Sequence, residues 1–438
     1  MTQDAIAPSG CRISLPNAVV AFVWLLLQLA LGRALVHAEA PKAPEASAGY
    51  LLVADVDTDQ IHTYHLPDLT LTGTLDGVHL DGHGGSLALA DGRVLFADGK
   101  ASEIIALSID DAGHPHITQR VAADLGEGAA WAAADRDFSH FVVVSSKPET
   151  RQVANVVDLA TFENVAFEVR DVAEEGHPFL ADDWLVLGVG GQVRAYPLDE
   201  VLAGQLPDPA SILPLTGGSH GPVIAHDLKR GYISTTAGFD GFDFGSGELL
   251  PRETIIPWNV GERVGGQNYR PRLAWDGVFI YGAVSANTSD APEAWADAVV
   301  DVHVSDLLNN SARRVPLATG IVSKFQLSRT HALFANVSGA GDFAYLFDVA
   351  RGSPTYQQVV AQIPLTPLSD GPVVGEPTAG KQTRGSAITP DGRWGFVSHG
   401  GDGLISVIDV QAQKVTSELE TPSALLGGGY LVAVQAGV

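Results

Sequence analysis

The stretch SAITPDGRWGFVSHGGDGLISVIDVQAQKVTSELET (386–421) decides the fold. "SAI" runs into the turn "PDGR", "WGFVSH" into "GGDG" and "LISVID" into "VQAQ", and "KVTSELE" completes the unit. Gly, Pro and Asp at short intervals between β-branched and aromatic runs mark strands joined by tight turns. Four short segments joined this way form an antiparallel meander.

Working outward, a segment ending in Asp or a close variant recurs along the chain. It reads QIHTYHLPD (60–68), EIIALSID (103–110), QVANVVD (152–158), QVRAYPLD (192–199), DGFDFGSG (240–247), VVDVHVSD (299–306), DFAYLFD (342–348) and LISVID (404–409). An apolar segment precedes each copy, beginning near Tyr50, Val94, Phe141, Trp184, Tyr232, Val278, Ala332 and Trp394. A repeat of about 45 residues with four strands per unit has the anatomy of a propeller blade. The sequence therefore predicts an all-β protein, a β-propeller of four-stranded antiparallel blades over residues 50–438. Eight blades are expected, with seven as the alternative because the unit at 240–247 is the least regular. LGGGYLVAVQAG (426–437) aligns with GHGGSLALADG (82–92). The last strand of the chain should thus supply the innermost strand of the N-terminal blade and leave the ring no open edge.

With "PDGR" as turn and "LISVID" as third strand, the 386–421 repeat resembles the YVTN/YncE-like family of secreted propellers. That resemblance implies the fold and says little about activity.

Ala18 to Leu31 (AVVAFVWLLLQLAL) is unbroken apolar sequence, preceded by Arg12 and followed by "VHAEA". This pattern predicts a signal peptide over 1–38, cleaved after Ala38 or Ala40, a short linker at 39–49, and a periplasmic or secreted protein with no membrane segment after cleavage. The single cysteine is Cys11 and the single methionine is Met1. The mature chain would carry no sulfur, which excludes disulfides, thiolate metal sites and a cysteine nucleophile. The chain carries 26 Lys and Arg against 51 Asp and Glu, a formal charge of −25. Such a field repels nucleic acid and attracts cations. A monomer is expected.

In a propeller the innermost strands line the central channel, and the residue opening each one faces its mouth. Aligned, these positions are His83, Glu127, His177, His220, Arg270, Lys324, Arg384 and Gly427. Seven of the eight are ionisable in a chain where charged residues make up 18%, an enrichment that an apolar core does not explain. His83, His177, His220 and Glu127 form a nitrogen and oxygen donor set suited to tetrahedral zinc. Asp81 and Glu174-Glu175 could orient the imidazoles, and His79 is a spare ligand. Arg270, Lys324 and Arg384 form an opposing cationic side able to take an anion or a carboxylated ligand. A histidine at such a turn can also be purely structural.

"EEGHPF" (174–179) and "SHGPVIAH" (219–226) resemble the histidine positions of periplasmic zinc-chaperone propellers (the AztD type). That resemblance implies zinc as cargo and, as partner, the periplasmic solute-binding protein of a metal transporter. The chain departs from the family in lacking a clustered His/Asp-rich capture loop; "DDAGHPHITQ" (110–119), with His114 and His116, holds its only close pair. No H-E-x-x-H motif is present, and no catalytic residue is assigned. Asp240 and Asp243 read as hairpin residues rather than calcium ligands, and His62 and His65 as surface residues away from the channel. The reading is a metal-binding propeller rather than an enzyme. The alternatives are a hydrolase or lactonase using the same metal and a protein-interaction scaffold.

Overall fold

Successive side chains leave a β-strand in opposite directions, so a strand buried on both faces must be apolar throughout. His140–Val144 shows the consequence: Val142 and Val144 pack toward one neighbouring sheet, Phe141 and Val143 toward the other. Outermost strands cover only one side, and Pro115–Ala122 accordingly alternates between sheltered and exposed residues.

These observations come from a computed structural model that describes residues 49–66, 68–80, 86–89, 92–125, 131–144, 152–169, 176–252, 255–268, 270–285, 296, 298–322, 324–376 and 380–435. The expected signal sequence and most of the linker lie outside them, as do His83, Glu127, Asp81, Glu174 and Glu175.

Eight antiparallel sheets follow one another around the chain. Blade 1 joins Tyr430–Gln435 to Gly49–Asp55, Gln60–Leu66 and Leu71–Asp76. Blade 2 runs through Ser86–Ala88, Val94–Asp98, Glu103–Ile109 and Pro115–Ala122. Blade 3 is Trp131–Ala134, His140–Val144, Gln152–Asp158 and Asn164–Val169, and blade 4 is His177–Ala181, Trp184–Val189, Gln192–Pro197 and Ser211–Pro214. Blade 5 starts with Ser219–Ala225, Arg230–Thr235 and Gly238–Asp243. Its outer edge is split into Leu250–Pro251 and Ile256–Pro257, both paired with Gly238–Asp243. A proline in each piece removes a ladder donor, which fits a sheet edge and explains why this unit is irregular in sequence. Blade 6 is Arg272–Leu273, Phe279–Ser285, Val299–Asp306 and Ser311–Thr319. Blade 7 is Phe325–Leu327, His331–Ala335, Phe343–Asp348 and Val359–Pro364; blade 8 is Ser386–Ile388, Trp394–His399, Leu404–Asp409 and Lys414–Glu420. The fold is an eight-bladed β-propeller.

Closure is visible twice. Gly49–Ala54 pairs with Tyr430–Gln435 in a continuous antiparallel register, Gly49 opposite Gln435 and Ala54 opposite Tyr430. The described core also divides into eight apolar clusters, each formed between two adjacent blades. One of them joins blade 8 to blade 1 through Phe396, Ile405 and Val407 against Leu51, Val53 and Leu431. An open arc of eight sheets would have only seven such interfaces.

His62 lies on the third strand of blade 1 and is fully buried, its Nδ1 against the Thr74 hydroxyl at 3.0 Å. This corrects its reading as a surface residue: third strands are sandwiched between blades. His65, on the same strand, is exposed, as expected, and sits beside Asp68.

Candidate functional site: the mouth of the central channel

The innermost strands of neighbouring blades touch around the channel, blade 3 against blade 4, blade 4 against blade 5 and blade 8 against blade 1. Local sequence sets what they present. In "EEGHPF", Gly176 is required because a Cβ there would lie 2.6 Å from Val144 of blade 3. The tight approach seats His177 as the first residue of its strand, opposite Gly188. In "SHGPV", Gly221 at φ +57° makes a bulge, and the register slips between His220 and Pro222. Such a bulge re-aims the side chain beside it.

The result is a cluster of three rings from three consecutive blades. The indole of Trp131 stands edge-on to His177 at 4.9 Å and to His220 at 4.8 Å between centroids. The two imidazoles are 5.5 Å apart, inclined at 40°. His177 is 1% exposed, and both its ring nitrogens are buried with no hydrogen-bond partner of ordinary geometry. Burial, reinforced by His220 and opposed only by the Gly188 backbone, lowers its pKa to about 3. The ring is therefore neutral at physiological pH, with a lone pair available, as a metal ligand must be. Two imidazoles on one tetrahedral ion, each with its nitrogen ~2.0–2.1 Å from the metal, have ring centres roughly 5 Å apart. The observed pair fits that requirement.

The expected cationic side is rearranged. Arg270 lines a channel cavity of about 150 Å³, together with Arg272, Trp131, Gly221, Ser86 and Tyr430. Lys324 donates to the Gly429 carbonyl at 3.0 Å and lies 5.9 Å from the Tyr430 ring centre. Arg384 turns away from the mouth altogether. Its guanidinium is fully buried, donating to Asp342 Oδ2 and to the Thr366 carbonyl, each at 2.6 Å. It joins blade 8 to blade 7, because it sits two residues ahead of its strand and can swing outward. Gly427 falls in a short 3-10 turn before the closing strand.

The remaining residues singled out in the sequence have other occupations. His79 is held by Asp59 at 2.8 Å, so it is not placed as a spare ligand. Asp240 accepts from Thr216, and Asp243 from Arg252, on the expected hairpin. Among the described residues no group of three His, Asp or Glu is arranged to hold a metal. A cavity of about 690 Å³ lies at the opposite ends of the innermost strands, lined by Asp135, His140, Asp182 and Asp199. It contains none of the expected residues, and His140 there is bound to Asp135.

Sequence reasoning missed Trp131 and Arg272. Both were legible: Trp131 opens its strand in "GEGAAW", and Arg272 follows Arg270 by two residues, the spacing that keeps side chains on one face of a strand.

Comparisons with known proteins place the fold. No protein-family model matches the chain, and no curated protein matches it. Among solved structures, AztD from Citrobacter koseri in its apo form superposes with a TM-score of 0.64 at 14% identity, covering 89% of this chain and 98% of that one. A second structure of Citrobacter koseri AztD gives 0.62 at 15% identity over the same shares. The dihydro-heme d1 dehydrogenase NirN in complex with DHE gives 0.57 at 15%, covering 92% of this chain and 78% of that one. At such identities the likeness is one of propeller architecture. Among the described residues no helix is long and apolar enough to cross a membrane.

Proposed function

We propose that this chain is an exported propeller, of the secreted YVTN/YncE-like kind, that carries a divalent metal ion at the mouth of its channel. Zinc is the ion best suited to a set of imidazole and carboxylate donors without sulfur. His177 and His220 hold it, and His83 and Glu127, which precede the innermost strands of blades 2 and 3 in the sequence, complete the set. The partner is a periplasmic solute-binding protein that receives the ion for a transporter. The acidic surface of the chain raises the local concentration of cations.

The observation that carries this reading is His177. A buried neutral imidazole with neither nitrogen satisfied is costly to keep, and an ion shared with His220 would satisfy it. The AztD-like placement of the histidines in the sequence agrees. A hydrolytic alternative, in which the metal activates water for a lactone or ester, draws support from the 150 Å³ cavity beside His220, where a substrate could sit. Metal analysis of protein purified without a polyhistidine tag tests the reading: about one equivalent of zinc is expected, and a metal-free protein that takes up none on titration would end it. Turnover of simple lactones by the zinc-loaded protein would favour the enzymatic alternative.

A further inference from the structure

We propose that the channel cavity beside this site binds a small oxyanion, a carboxylate or phosphate, anchored by Arg272. Arg272 opens the innermost strand of blade 6 and is largely enclosed by protein, with solvent reaching it from the channel. Burial draws its pKa below the ordinary arginine range, with only Tyr430 opposing. A guanidinium nonetheless stays charged in proteins. Its buried Nε makes no hydrogen bond, and no carboxylate among the described residues pairs with it. The described lining of the cavity contains no Asp or Glu, only Arg270 as a second cation and neutral groups that include Ser86, Trp131 and Tyr430.

An enclosed charge without a counter-ion is a large destabilisation that proteins rarely tolerate. The contrast with the other buried arginines is informative. Arg384 has Asp342, and Arg314 has Asp301 at 2.9 Å. Arg272 alone of these three faces a cavity, and a bound anion would be the counter-ion that no described residue supplies. The planar fork of a guanidinium matches an oxyanion in two hydrogen bonds. The Ser86 hydroxyl, which donates to the Tyr430 oxygen at 2.6 Å, and the Trp131 indole provide polar and aromatic walls. At about 150 Å³ the cavity has the size known to accept a six-membered ring. That admits phosphate, acetate or a four-carbon dicarboxylate.

The net charge of −25 opposes the approach of an anion. At physiological salt, screening confines that repulsion to roughly 8 Å, whereas the contact with Arg272 is direct and desolvated, so the local term prevails. The inference does not depend on the metal, and protein stripped with a chelator separates the two.

The experiment is calorimetric titration of chelator-treated full-length protein with inorganic phosphate, acetate and succinate, in chloride buffer at constant ionic strength. Wild type should bind one equivalent of at least one of them, and which one identifies the class. Arg272→Met should weaken that binding roughly 10- to 100-fold, and Arg272→Lys should fall between. Circular dichroism and melting confirm that each variant is folded, and the lysine variant keeps the comparison meaningful if the methionine variant is not. Absence of binding by wild type beyond that of chloride would overturn the proposal, as would unchanged binding by Arg272→Met. Binding that emerges only in Glu127→Gln or Asp81→Asn would also overturn it, because a carboxylate of the chain would then be the counter-ion.

Discussion

Replacing His177 by leucine should stabilise the metal-free protein while abolishing its response to zinc. The imidazole is 1% exposed with two unpartnered nitrogens, and each buried unsatisfied polar group costs about 1–3 kcal/mol. Leucine removes both penalties. It forfeits two ring contacts, edge-on with Trp131 and tilted with His220, worth about 0.5–1.5 kcal/mol each. The balance is about 1–3 kcal/mol in favour of leucine. Unfolding a chain of roughly 390 residues carries about 0.8 kcal/mol/K of entropy, so each kcal/mol moves the midpoint by about 1 °C. The chelator-treated His177→Leu protein should therefore melt about 1–3 °C above wild type. Adding zinc at a thousand times its Kd stabilises a binding-competent protein by about 4 kcal/mol, so wild type should then rise about 5 °C and overtake the variant, which stays where it was. The assay is differential scanning calorimetry of both proteins with and without zinc. A metal-free His177→Leu variant less stable than wild type by about 2 kcal/mol or more would show that the nitrogens are satisfied in the folded protein, and the argument from an orphaned imidazole would fail.

Other consequences follow from the ring and its buried charges. Leu431 and Val434 of the closing strand pack into the interfaces on opposite sides of blade 1; Leu431→Ala should cost about 2–5 kcal/mol, and deletion from Leu426 onward should leave protease-sensitive or insoluble protein. A truncated chain that is monomeric and melts like the parent would refute closure by this strand. Breaking the buried pair by Asp342→Asn or Arg384→Met should cost about 3–5 kcal/mol, while the double change Asp342→Leu with Arg384→Met recovers most of it; denaturant titration of the cycle checks this, and additive losses would contradict it. His303 and His399 are fully buried, and burial lowers each pKa to about 4, Arg314 and Arg384 respectively adding to the effect. Between pH 6.5 and 4 the unfolded chain takes up protons that these folded sites refuse. Stability of metal-free protein should accordingly fall as pH drops through that window, by about 3 kcal/mol per histidine. Phenylalanine at both positions should flatten that part of the profile, and an unchanged slope would show that other groups carry it.

The architecture was legible because it repeats. Eight recurring segments, ending in Asp or a close variant, and the alignment of 426–437 with 82–92 translate directly into eight sheets and the pairing of Gly49–Ala54 with Tyr430–Gln435. The proximity of His177 and His220 was legible for the same reason, since both open innermost strands of adjacent blades, whereas His83 lies outside the described residues. Side-chain direction just before a strand was not. Arg384 shares the alignment of His177, yet its long side chain finds Asp342, distant in sequence, between two blades. His62 was misplaced because apolar runs do not reveal whether a strand is covered on one face or two. Arg272 was hidden by its neighbour: the alignment selects one residue per strand, and the cavity that Arg272 faces is a property of the closed ring.

The central claim is that His177 and His220 share a metal ion, and a competition titration against a chromogenic chelator at neutral pH tests it most directly. Wild type should bind one equivalent of zinc. His177→Ala with His220→Ala should lose roughly 100-fold or more, beyond the range of outer-shell changes, while the exposed His65→Ala with His114→Ala leaves binding unchanged. A histidine-channel double variant that binds zinc as tightly as wild type would contradict the account.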